Sequence, residues 1–196
     1  MPGAWGECGM VALGRRKIPG FVLIVAAGLA LAGWLSPGLQ AQSPTEYEMK
    51  AVFLYNFVKF VEWPAGTFPD AGAPVIIGVA GNDSFREILI HTVEDKTAQG
   101  RKLLVRTWKK NDAGQHCQIL FISSSMNNEL GEILQNVNGK WVLTVGETAG
   151  FAQRGGIINF TLSDNKVGFE INHKSAEAAG LKVSSKLLTL AKIVLE

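Results

Sequence analysis

Between Pro74 and Asn172 the chain alternates short apolar runs with helical patterns, and this alternation restricts the possible folds more than any other feature. "PVIIGVAG" at 74–81 is an apolar run that closes on a turn. "NDSFREILIHTV" follows with helical spacing, and Asn82, Asp83 or Ser84 can cap it. "RKLLVRTW" (101–108), "CQILFIS" (117–123) and "KWVLTVGE" (140–147) read as further strands. "SSSMNNELGEILQNV" (123–137) reads as a Ser-capped helix. Residues 156–172 form a hairpin pattern, two β-rich runs around the turn-forming Ser163-Asp164-Asn165. A short helix, a break near Gly180 and a terminal helix capped by Ser184 or Ser185 complete the chain. The early β-α-β order predicts parallel pairing, and the hairpin must be antiparallel. The expectation is a single α/β domain with a central mixed sheet of about five or six strands flanked by helices. Its C-terminal β-hairpin is followed by helices.

Upstream of this pattern lies "VFLYNFVKFVEWP" (52–64), with five aromatic residues before the proline. Thr45 and Glu48 make a capping-box pattern for a helix over about Thr45–Glu62, stopped by Pro64 and Gly66. At 100° per residue, Phe53, Leu54, Phe57, Val58, Phe60 and Val61 form an apolar arc that should face the sheet. Glu48, Lys59 and Glu62 line the opposite stripe, with Asn56 at its margin. Val52 and Tyr55 fall inside that stripe. An apolar and an aromatic residue within a charged face fit a contact with another chain, or cover from a second element of the same domain.

The first 41 residues read differently. Arg15-Arg16-Lys17, the uncharged "FVLIVAAGLALAGWL" (21–35) and the small Ala41 follow the layout of a secretory signal peptide cleaved near Ala41. The apolar run is short for a membrane span, which needs about 20 residues. An uncleaved anchor is the alternative. Residues 42–196 would then form the mature domain. Cleavage removes three basic residues and one acidic residue, leaving sixteen of each. A neutral chain carries no electrostatic footprint for nucleic acid. Cys8 is lost with the leader, so Cys117 is the sole remaining thiol. It is either buried in its strand or available for an intermolecular disulfide.

Catalytic and metal-binding patterns are missing. His91, His116 and His173 have no second ligand type at a recognised spacing. There is no Gly-x-Ser-x-Gly elbow, and "GVAGNDSF" (78–85) lacks the Lys-Ser/Thr of a P-loop. A small anion on the helix after that turn would meet Asp83. The sequence therefore predicts no enzyme activity, no catalytic residue, no cofactor and no metal.

Two segments, "KAVFLYNFVKFVEWP" and "GGIINFTLSDNKVGFEINHKSAEAAGLKVSSKLLTLAKIV", resemble the YfiR family of periplasmic proteins in residues, order and spacing. The resemblance implies a periplasmic regulator that binds and represses an inner-membrane diguanylate cyclase. It would thereby lower cyclic di-GMP and biofilm formation. It also implies an α/β fold, often dimeric. A periplasmic small-ligand sensor module of another signalling system is the alternative. Tyr55 and Lys59 match the first motif, and Glu170 lies in the matching Phe-Glu-Ile-Asn. Together with Val52 they form the expected partner-binding set: Val52, Tyr55, Lys59 and Glu170. The family's characterised repressor uses disulfides, which this chain cannot form internally once Cys8 is removed.

Overall fold

The computed structural model describes residues 45–109 and 116–196. The expected leader and its cleavage site lie outside the described residues. Helix α1 (Glu46–Phe60) begins at Thr45, whose hydroxyl accepts from the Glu48 N–H while the Glu48 carboxylate accepts from the Thr45 N–H. The capping box is therefore formed as predicted. The strands are β1 (Val61–Glu62), β2 (Val75–Ala80), β3 (Thr97–Ala98), β4 (Arg101–Thr107) and β5 (Ile119–Ile122). They continue with β6 (Leu143–Gly146), β7 (Ile158–Ser163), β8 (Lys166–Asn172), β9 (Lys182–Val183) and β10 (Ile193–Leu195). Helix α2 (Asp83–Val93) follows β2, and α3 (Leu130–Val137) follows β5. Helices α4 (His173–Ala178) and α5 (Ser185–Leu190) follow the hairpin.

Eight strands form one mixed sheet in the order β10-β8-β7-β6-β5-β2-β4-β3. Strands β4, β2, β5, β6 and β7 are mutually parallel neighbours. Strand β8 runs antiparallel to β7 through the predicted hairpin. Its turn residues Asp164 and Asn165 have φ of 50° and 57°, the left-handed pair that two-residue hairpins favour.

The central strands are covered on both faces, which explains their near-continuous apolar sequence. Val75, Ile77, Val79, Ile119 and Phe121 meet α1 and α2 on one face. Ala80, Leu120 and Ile122 meet Leu130 and Ile133 of α3 on the other. The aromatic arc of α1 is core: Phe57 is fully buried, with its ring centroid 5.2 Å from that of Phe169 and 5.8 Å from that of Phe160. Phe53 stacks beside them, 5.5 Å from Phe169.

The strand count exceeds the expected five or six because four short strands, β1, β3, β9 and β10, carry no signal in the sequence. The α1 helix ends at Phe60, and Val61–Glu62 pairs antiparallel with Lys182–Val183 of β9 as a separate ribbon. The terminal helix stops at Leu190, and Ile193–Leu195 pairs in parallel with Glu170–Asn172 of β8. Strand β3 adds two residues beside β4. Each is short, and each exists because a neighbouring strand offers unpaired backbone groups. The Ser-capped segment also splits: Ser123 caps a 3-10 turn at Ser124–Met126, and α3 begins at Leu130.

Candidate functional site

Val52, Tyr55 and Lys59 lie on one stripe of α1, three and four residues apart. Val52 is 43% exposed, and Lys59 is also exposed. Tyr55 is half-buried and has internal partners: its hydroxyl donates to the Thr97 carbonyl at 3.3 Å, and the Lys59 ammonium sits 3.9 Å from its ring centroid. Lys96 approaches the same ring at 5.3 Å. Tyr55 therefore joins α1 to the segment around β3 and presents only part of its ring to solvent.

Glu170 does not join them. Its neighbour Phe169 packs on Phe53 and Phe57 of α1. Successive strand residues point to opposite faces. Glu170 thus projects from the sheet face turned away from α1, beside Asn159 on β7. It lines an open cleft of about 360 Å³ with Glu147, Gln153, Asn159 and Thr161. The four expected contact residues occupy two separate surfaces.

The strand order around β2 reproduces the 2-1-3-4-5 arrangement of doubly wound sheets. Such sheets bind ligands between the carboxyl ends of the two strands where the order reverses. Here those ends are Gly81-Asn82 after β2 and Ser123–Ser125 after β5. Asn82 caps α2, accepting from the Phe85 N–H at 2.9 Å. The Ser125 hydroxyl donates to the Gly81 carbonyl at 2.8 Å. Gly81 has φ of 84°, and a Cβ there would lie 2.5 Å from the Ser125 and Met126 side chains.

The chain fills the rest of this crevice with its own charges. Glu147, just beyond β6, receives the Lys50 ammonium at 2.7 Å on one carboxylate oxygen. Its other oxygen accepts from the Ser123 hydroxyl and the Ser124 N–H, both at 3.1 Å. The side chains of Lys50 and Glu147 are each 5% exposed, and Lys50 also contacts Glu46 one turn earlier. Burial alone would lower the Lys50 pKa; hydrogen bonds to Glu147 and Glu46, and their charges, outweigh it and hold the pKa above the ordinary lysine value. Burial raises the Tyr47 pKa as well, reinforced by the charge of Glu147. Sequence reading missed this cluster. Its one signal was Lys50, a charge beside Ala51 and Leu54 on the buried side of the helix.

Cys117 is 7% exposed, and burial pushes its thiol up to about 11. The buried alternative therefore holds. Among the described residues no group of three or more His, Cys, Asp or Glu side chains could hold a metal. No described helix is long and apolar enough to cross a membrane.

A protein-family model described as YfiR/HmsC-like matches residues 47–192. No curated protein matches. Among solved structures, a conserved domain protein from Vibrio cholerae O1 biovar El Tor is similar at 14% identity and a TM-score of 0.53. The alignment covers 78% of this chain, which spans 61% of that protein's length. At that identity the likeness concerns the fold alone. A second structure, the ABC domain in complex with L-Trp from Streptococcus pneumonia, aligns at 10% identity and a TM-score of 0.46 over 62% of this chain and 55% of its own.

Proposed function

Because this chain belongs to the YfiR/HmsC-like family, we propose that it is an exported, non-enzymatic regulator that binds and represses an inner-membrane diguanylate cyclase. The family match across residues 47–192 carries the reading, since it includes both the aromatic helix and the Phe-Glu-Ile-Asn strand. In this reading residues 1–41 are removed, residues 42–196 act in the periplasm as a homodimer, and release of the cyclase raises cyclic di-GMP and biofilm formation. Repression requires only tighter binding to the cyclase's inactive arrangement than to its active one. Driving that equilibrium from one extreme to the other takes about 5.5 kcal/mol of differential affinity.

The contact residues proposed are Val52, Tyr55 and Lys59 on α1, and Glu170 on the opposite face. The exposure of Val52 supports the first surface, and among the described residues the Glu170 carboxylate makes no ion pair or hydrogen bond, which leaves it available on the second. One partner and one second copy can share the two faces between them. The test is cellular cyclic di-GMP in the native host. Deletion should raise it, and the wild-type protein should restore it. Val52→Asp and Glu170→Lys, expressed and exported at wild-type levels, identify the face that meets the cyclase: one of them should fail to restore. Full restoration by both would remove these surfaces from the contact. No change on deletion would remove the repressor reading.

A further inference from the structure

At the amino-terminal ends of β2, β5 and β6, opposite the filled crevice, two adjoining cavities of about 400 and 250 Å³ share walls at His116 and Gln118. Their charged lining is basic: Arg106 lines the larger cavity and Lys140 the smaller, and the His116 imidazole lines both. No carboxylate lines either cavity among the described residues.

Gln118 gives the site a fixed donor. It is 6% exposed, and its side-chain oxygen accepts from the Ile76 N–H at 2.8 Å. That bond orients the amide and leaves its NH₂ group with no acceptor among the described residues. The nitrogen is not sealed from solvent, so a ligand entering the cavities can supply the acceptor. Apolar surface stands beside these donors: Phe68 and Ile76 in the larger cavity, Trp141 in the smaller. Trp141 is 40% exposed and held at φ 57°, a conformation a bulky residue adopts only under constraint. Its indole lies against Gly180, where an added Cβ would be 3.1 Å from the ring. Strain of this kind gathers at ligand clamps.

We infer that these cavities form a binding site for a small organic anion, a carboxylate or phosphate carried on an apolar, ring-sized body. The Gln118 amide and the Arg106, His116 and Lys140 side chains would take the anion, and Trp141 and Phe68 the body. The combined size suits such a ligand. This inference is independent of the repressor reading, because it concerns binding by the isolated protein.

The probe is 1-naphthyl phosphate, titrated calorimetrically into the purified protein, with 1-naphthol and inorganic phosphate as controls. The expected result is saturable binding of one equivalent, weakened by added salt. Each control should bind at least ten-fold more weakly. Arg106 and Lys140 are both exposed, so Arg106→Gln/Lys140→Gln should fold normally and lose affinity at least ten-fold. The inference is overturned by an absence of saturable binding, by unchanged affinity in the folded double variant, or by a control that binds as tightly as the probe.

Discussion

Replacing Lys50 with Met tests whether the ion pair with Glu147 maintains the closed crevice. The substitution preserves much of the side-chain volume and removes the charge. Glu147, with its side chain 5% exposed, then keeps its negative charge without a cation. Breaking a buried pair from one side costs about 3–5 kcal/mol. The Ser123 hydroxyl and Ser124 N–H still donate to Glu147 and soften the loss, which places the expected cost near about 3 kcal/mol. For a domain of this size that corresponds to a fall in melting temperature of about 6–12 °C. Urea denaturation at pH 7, with m unchanged, would measure it. The double variant Lys50→Met/Glu147→Leu removes both charges and should recover most of the loss. A cost below about 1 kcal/mol for Lys50→Met, or a double variant no better than the single, would refute the reasoning.

Further outcomes follow from other contacts. In alkaline solution the raised folded-state pKa values of Lys50, Tyr47 and Cys117 act in the same direction. Their stabilising contributions are present below the unfolded values and lost as pH rises through the folded ones. Stability should therefore hold to about pH 8.5 and decline above it, beginning with Cys117, and denaturation across pH 7–11 checks this. Cys117 itself should resist a water-soluble thiol reagent at pH 7.5 until denaturant opens the domain, whereas rapid labelling of the native protein would contradict its burial. Gly146→Ala would put a methyl group 2.3 Å from the Phe151 ring, which is itself fully buried, and should cost about 1–3 kcal/mol in chemical denaturation. Thr45→Ala removes one half of the capping box and should cost about 1 kcal/mol, with Thr45→Asp largely retaining stability.

Features governed by neighbours in sequence were legible from the residues alone. The capping box at Thr45 and Glu48, the Asn82 and Ser184 caps and the Asp164-Asn165 turn all depend on residues within a few positions. The buried arc of α1 followed from period 3.6, and the mixed sheet from the order of elements. The short strands β1, β3, β9 and β10 were not legible, because two or three residues carry no periodicity and become strands only beside a partner. The candidate site was legible in part. Period 3.6 put Val52, Tyr55 and Lys59 on one stripe, but only the tertiary fold shows that Tyr55 reaches the Thr97 carbonyl. Alternation along the Phe-Glu-Ile-Asn strand separated Glu170 from Phe169 without saying which face α1 covers. Lys50 and Glu147 are nearly a hundred residues apart, and no local pattern joins them.

The partners of α1 also determine when the domain can form. Phe57 packs on Phe160 and Phe169, more than a hundred residues downstream, and β8 gains its second neighbour only from Ile193–Leu195 at the end of the chain. A chain emerging from the ribosome can lay α1 on β2, α2 and β5, but Phe53 and Phe57 lack their aromatic partners on β7 and β8 until the hairpin has been made. Long-range closure of this kind slows folding. The Phe53 and Phe57 rings stay without those partners throughout that interval, so holdase chaperones would have a target in the segment 53–57.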